Sequence, residues 1–83
     1  MRRQITLHLV ESQRFGQQER RLDPIAAQDL RELRENLENA FGLQIFLIEF
    51  FDSARSIWHE PAMLDQVETM SKARISKARK RRG

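Results

Sequence analysis

The sequence predicts a small single-domain α+β fold. Its expected order is an N-terminal strand with the option of a hairpin, a helix over 24–41, a strand over 44–51, and a C-terminal helix from 61 that ends in a basic tail. Three observations predict it. Ile5, Leu7 and Leu9 alternate with Gln4, Thr6 and His8; Ile25, Leu30, Leu33, Leu37 and Phe41 recur at helical spacing; and residues 43–51 are apolar nearly all round. At 83 residues the chain is long enough for one domain with a small core. It divides into a compact body, 1–70, and a tail, 71–83.

Strict alternation over 4–10 is the mark of a half-buried strand, because successive side chains point to opposite faces. Residues 12–22 are polar around Phe15-Gly16, so Gly16 is a candidate turn and 17–22 a candidate return strand. Asp23 is a good N-cap residue and Pro24 fits the first helical position, where its missing N–H removes no bond. Asp29, Arg31, Glu32, Arg34, Glu35 and Glu38 occupy the face opposite the apolar stripe, and Gly42 follows as a left-handed C-terminal cap.

From Leu43 onward a helical template also gives an apolar face. However, Ile45, Ile48 and Phe51 make the segment hydrophobic on every side, as in a strand covered on both faces. A single glycine is a short link between helices but a common one between helix and strand. The segment 4–10 also needs a pairing partner, so 44–51 is expected as a strand. If the two pair directly in parallel, the helix between them is a right-handed crossover. For Asp52–Glu60 a loop, a short helix and a brief strand at 57–59 all remain open. Pro61 opens the expected last helix, with Leu64, Val67 and Met70 as its stripe. The echo of Ser71-Lys72-Ala73-Arg74 in Ser76-Lys77-Ala78-Arg79 has a period of five residues. That fits neither regular strand nor helix and reads as compositional drift.

Charge is distributed unevenly. Residues 71–83 carry seven cations and no acid, whereas 1–70 hold eight Arg against twelve Asp and Glu, a net −4. Concentrated, unopposed cations point to a polyanionic partner. The candidate nucleic-acid-binding residues are Lys72, Arg74, Lys77, Arg79, Lys80, Arg81 and Arg82, acting on backbone phosphates. On a helical projection these charges surround the axis, which fits a flexible arm better than an interfacial membrane helix with a separate apolar face. Arg2, Arg3, Arg14, Arg20 and Arg21 could extend the basic surface.

Other chemistry is sparse. The chain has no cysteine, which removes disulfides and thiol catalysis and suits a cytoplasmic setting. No apolar run approaches the length of a membrane span. Met1-Arg2-Arg3 is not followed by a continuous apolar signal region. His8 and His59 are the only candidates for general acid or base work near neutral pH, and the HExxH spacing fails at Met63. The three glycines are too dispersed for a phosphate-cradling loop. Glu49 interrupts the most hydrophobic stretch and is expected at a sheet edge or paired with an arginine. Phe46, Phe50, Phe51 and Trp58 are expected as core or interface, with a base-stacking platform as the sharper alternative.

The expected function is therefore a small non-enzymatic nucleic-acid-binding or nucleoprotein-associated factor, with no cofactor and no metal. The alternative is a homo-oligomeric protein-interaction adaptor whose tail is incidental or binds an acidic partner. A short chain with a doubly apolar strand favours a homodimer in either case.

Overall fold

The computed structural model describes residues 2–13, 15–67 and 72–81. It is mostly β, with one long helix in the middle. The strands are β1 (Arg3–Ile5), β2 (His8–Gln13), β3 (Gly16–Arg21), β4 (Ile25–Ala27), β5 (Leu43–Asp52), β6 (Ile57–His59) and β7 (Lys72–Lys80); the helix α1 spans Leu30–Phe41. Strands β1 and β4 form a small antiparallel ribbon, and the rest make a five-stranded sheet in the order β3-β2-β7-β5-β6.

The expected α+β architecture with a C-terminal helix is overturned. Pro61 opens no α-helix: a single 3₁₀ turn, Leu64–Gln66, is all the helix described after α1, and 68–71 lie outside the described residues. Pro61 is instead buried, as are Leu64 and Val67. Their side chains close the core from a loop, and Arg3 ties that loop down by donating to the carbonyls of Leu64 (3.1 Å) and Val67 (3.2 Å). The basic segment expected as a tail is β7, the middle strand of the sheet. It runs antiparallel to β5 from Lys80 opposite Leu43 to Ala73 opposite Phe50, and parallel to β2 at Lys72 and Ala73. The N-terminal strand and the 43–52 strand therefore do not pair directly; β7 lies between them.

The helix is shorter than its stripe suggested. Asp29, not Asp23, is the N-cap, with its carboxylate accepting the Glu32 N–H at 2.8 Å. Residues 25–27 leave the helical path because they pair with β1, Ile5 opposite Ile25 and Arg3 opposite Ala27. Asn36 holds that ribbon against α1 by donating to the Ala26 carbonyl at 2.8 Å. At the other end Gly42 adopts a left-handed conformation (φ 63°), and its N–H reaches the Glu38 carbonyl, as a C-terminal cap requires.

Helix α1 covers one face of the sheet. Leu33 and Leu37 pack with Ile5, Leu7, Ile45 and Phe50, and Ala73 on β7 is only 1% exposed. With one helix in the described chain, the opposite face has no covering layer. Edge strand β3 is exposed throughout and rich in charge (Glu19, Arg20, Arg21), which discourages pairing with other chains.

Three outcomes follow from this architecture. Ending the chain before Lys72 removes the strand that joins β2 to β5, so circular dichroism should show loss of cooperative thermal unfolding. Asp29→Ala should destabilise the protein by about 1 kcal/mol, as loss of a helix cap does. Asp23→Ala should change denaturant midpoints little.

Candidate nucleic-acid interface

The register decides which side chains reach the open face. On β2 and β7, Leu9 and Ala73 point toward α1, so His8, Val10, Lys72 and Arg74 point away. A regular strand would then turn Lys77 and Arg79 inward. It does not, because the β5–β7 register shifts twice, between the pairs at Ile45 and Leu47 and again between Leu47 and Ile48. Each strand gains one extra residue, Phe46 on β5 and Ser76 on β7. A bulge of this kind reverses the phase of every later residue. Lys77 therefore stands opposite Leu47 and Arg79 opposite Gln44, on the same face as Lys72 and Arg74, while Ala78 falls opposite buried Ile45. The five-residue repeat is thus not drift. It is a two-residue strand pattern interrupted by one bulge, and it aims Lys-x-Arg at the same face twice.

The aromatic platform divides. Phe50 is core at 3% exposure. Phe51 and Trp58 are paired across β5 and β6 on the open face, ring centroids 5.3 Å apart and tilted by 57°. A tight turn sets this pairing. The Asp52 carboxylate accepts the N–H groups of Ala54 (3.0 Å) and Arg55 (3.3 Å) and the Arg55 Nε (2.9 Å), and Ser56 takes a left-handed φ of 54°. The Arg55 hydrogen bond, opposed by desolvation, holds Asp52 below the usual carboxylate range.

Arg74 lies over Trp58, its guanidinium carbon 4.4 Å from the ring centroid, within cation–π range. The same guanidinium donates through Nε to Glu49 at 3.0 Å, and the bulge residue Ser76 donates its hydroxyl to the same oxygen at 2.6 Å. Glu49 is thus the arginine-paired carboxylate that the sequence suggested. Its pKa is lowered, first by the Ser76 hydroxyl and then by Arg74, against a smaller opposing effect of desolvation.

The sequence-selected cations are not equivalent. Lys72 sits 3.8 Å from Glu19, and Arg79 donates to Gln44 at 3.2 Å with its guanidinium over Phe46. Arg81 turns to the C-terminal end of α1, donating to Asn39 at 3.0 Å and lying 3.5 Å from Glu38. There it complements the negative end of the helix dipole. Lys77 and Lys80 are exposed and make no ion pair with a described residue; Lys80 falls opposite Leu43, on the helix side. Arg82 and Arg14 lie outside the described residues.

Of the other arginines, Arg2 pairs with Glu32 and Arg20 with Glu11. Only Arg21, opposite His8, joins the open face. His59 stands opposite Phe50 on the helix side, apart from His8. Among the described residues no three His, Asp or Glu side chains gather to hold a metal ion, and no helix is long and apolar enough to cross a membrane.

Comparison with protein-family models, curated proteins and solved structures finds no match to this chain.

Because Glu49 is acidified in the folded state, its contribution to stability is present above the ordinary glutamate range and is lost as pH falls through its lowered pKa. Thermal melts across acidic pH should show the chain outperforming Glu49→Gln at neutral pH, with the difference vanishing as Glu49 protonates.

Proposed function

We propose that this chain is a small non-enzymatic nucleic-acid-binding factor that contacts backbone phosphates from the open face of its sheet. The observation that supports this reading is the bulge-phased strand β7, which aims Lys72, Arg74, Lys77 and Arg79 at one uncovered surface. Arg21 adds a fifth cation, and among the described residues the carboxylates sharing the face are Glu19 and Glu49. Cations on a strand are spaced by about 6.7 Å for every second residue. They are therefore held in a row, in contrast to the charges of a frayed terminus. Phosphate binding needs charge, a path along the surface and release of counterions, and this face offers the first two. A cytoplasmic setting goes with the proposal, since a cysteine-free chain suits a reducing compartment.

Filter-retention or anisotropy titrations across salt test it. With about three to four phosphates neutralised, log affinity should fall against log salt with a slope of roughly −2 to −4. The exposed pair Lys77→Ala and Arg79→Ala together should weaken binding and reduce the slope by about 1 to 2 while leaving the thermal melt unchanged. Absence of retention at low salt, or a double variant with unaltered affinity and slope, would sink the reading.

Self-association is the second reading, and one observation favours it. Strand β6 pairs with β5 only at Phe50–Asp52, leaving the outer edge of Leu43–Glu49 without a strand neighbour among the described residues. Phe46, 49% exposed, stands on that edge beside an apolar hollow of about 220 Å³ lined by Leu30, Leu33, Leu37 and Pro61. The Glu38 carboxylate already accepts the Ile45 N–H at 2.8 Å, which blunts the edge. Sedimentation at tens of micromolar should give a dimer that Phe46→Glu dissociates if this edge is an interface. A monomeric parent chain excludes it.

A further inference from the structure

The open face carries more than charge, and its apolar part identifies the form of nucleic acid it fits. Phosphate contacts alone need no aromatic rings. Yet Phe51 and Trp58 lie on this face with Val10 and Leu47, outside the core that α1 covers. Trp58 is held from one side by the Arg74 guanidinium, itself fixed by Glu49 and Ser76. Beside it is an open hollow of about 350 Å³, bounded by Val10, Gln17, Glu19, Phe51, Trp58 and Lys72. A flat ring with a guanidinium on one face, an adjoining open hollow and a lysine at the rim are the parts needed to stack one base and hold its phosphate.

We infer that the face takes a single strand of nucleic acid, with a base stacked in the Trp58–Phe51 hollow and the backbone following β7 past Lys77 and Arg79. The inference rests on the phosphate-binding reading above and names its ligand class. A duplex could meet the cations, but its bases are stacked on one another and would leave the aromatic pair unused. A second copy of this chain is disfavoured by charge: the face presents Arg21, Lys72, Arg74, Lys77 and Arg79 against Glu19 and Glu49, so two such faces repel.

Trp58 is the only tryptophan and the chain has no tyrosine, so its emission reports this hollow directly. Titration of the full chain with oligo(dT) and oligo(U), each about twelve nucleotides, should give saturable quenching. A hairpin duplex of similar length should bind more weakly and quench little. Trp58→Ala should weaken single-strand binding by about 5- to 150-fold, and Trp58→Phe should recover most of it. Tighter binding of either oligonucleotide than of the duplex, with quenching, supports the inference. The two readings fail in different ways. If duplex binds as tightly as single strands and quenching is absent, while Lys77→Ala with Arg79→Ala still weakens binding, the stacking inference falls and phosphate binding stands. If no nucleic acid binds, both fall. Emission that changes with protein concentration alone would place a second copy on the face and overturn the inference.

Discussion

Pairing of β7 with β5 from Leu43 to Phe50 holds a row of lysines and arginines in the middle of the sheet, and the other elements are arranged around that pairing. Neighbouring outward cations two residues apart stand about 6.7 Å apart along the strand. Unit charges at that separation repel by roughly 0.6 kcal/mol in bulk water, and by about 2.5 kcal/mol at an effective permittivity of 20. The strand tolerates this for two reasons. Its inward residues, Ala73 and Ile75, are apolar and lie against the core, and Glu49, Glu19 and Gln44 each meet one of its cations on the outer side. Repulsion is reduced, not removed, and a bound polyanion would relieve the rest.

Much of this arrangement was legible in the sequence where local pattern and tertiary demand agree. Ile5, Leu7 and Leu9 are buried as their alternation implied, but the single strand expected over 4–10 is split between β1 and β2 in different sheets. The apolar run that became β5 and Gly42 as a left-handed cap reflect constraints local to their segments. The helix start illustrates a conflict. Asp23-Pro24 and Asp29 are both good beginnings, and pairing of Ile25–Ala27 with β1 decides for the second. A signal was present: from Ile25, the next positions on a helical stripe are Gln28 and Asp29, both polar. The final segment was harder. Seven cations in thirteen residues obscure the fact that a central strand needs only one apolar side here. The five-residue repeat is intelligible only once a bulge is allowed, and bulges are settled between strands. Pro61 likewise carries a helix-start signal that burial in a loop overrides.

Among the described residues a single α-helix packs on the five-stranded sheet, and its other face carries no second layer. On that side Val10, Leu47, Phe51 and Trp58 gather among charged groups in a way that neither a core nor an ordinary solvated face requires. Ligand bound there would act on stability as well as function. At a concentration of one hundred times its dissociation constant it would add about 2.7 kcal/mol to folding. For a chain with a core this small, that is a substantial share of the several kcal/mol by which typical domains are stable.

The cations on this face differ in how far the protein itself already engages them. Arg74 is engaged on two sides, by the Trp58 ring and by the Glu49 carboxylate, whose same oxygen also accepts the Ser76 hydroxyl. To reach a phosphate it would have to release Glu49, leaving a carboxylate without its counter-charge beside an incoming anion. It is better suited to fixing the orientation of Trp58 than to binding phosphate. Arg81 is committed to the end of α1 through Asn39 and Glu38. Among the described residues Lys77 has no carboxylate to release and Arg79 meets a neutral amide and the Phe46 ring, while Lys72 is held weakly at 3.8 Å. These three can turn to an anion at little cost. Sequence composition weighted all seven cations equally; the bulge and the placement of Glu49 and Glu38 separate those that build the face from those free to bind with it.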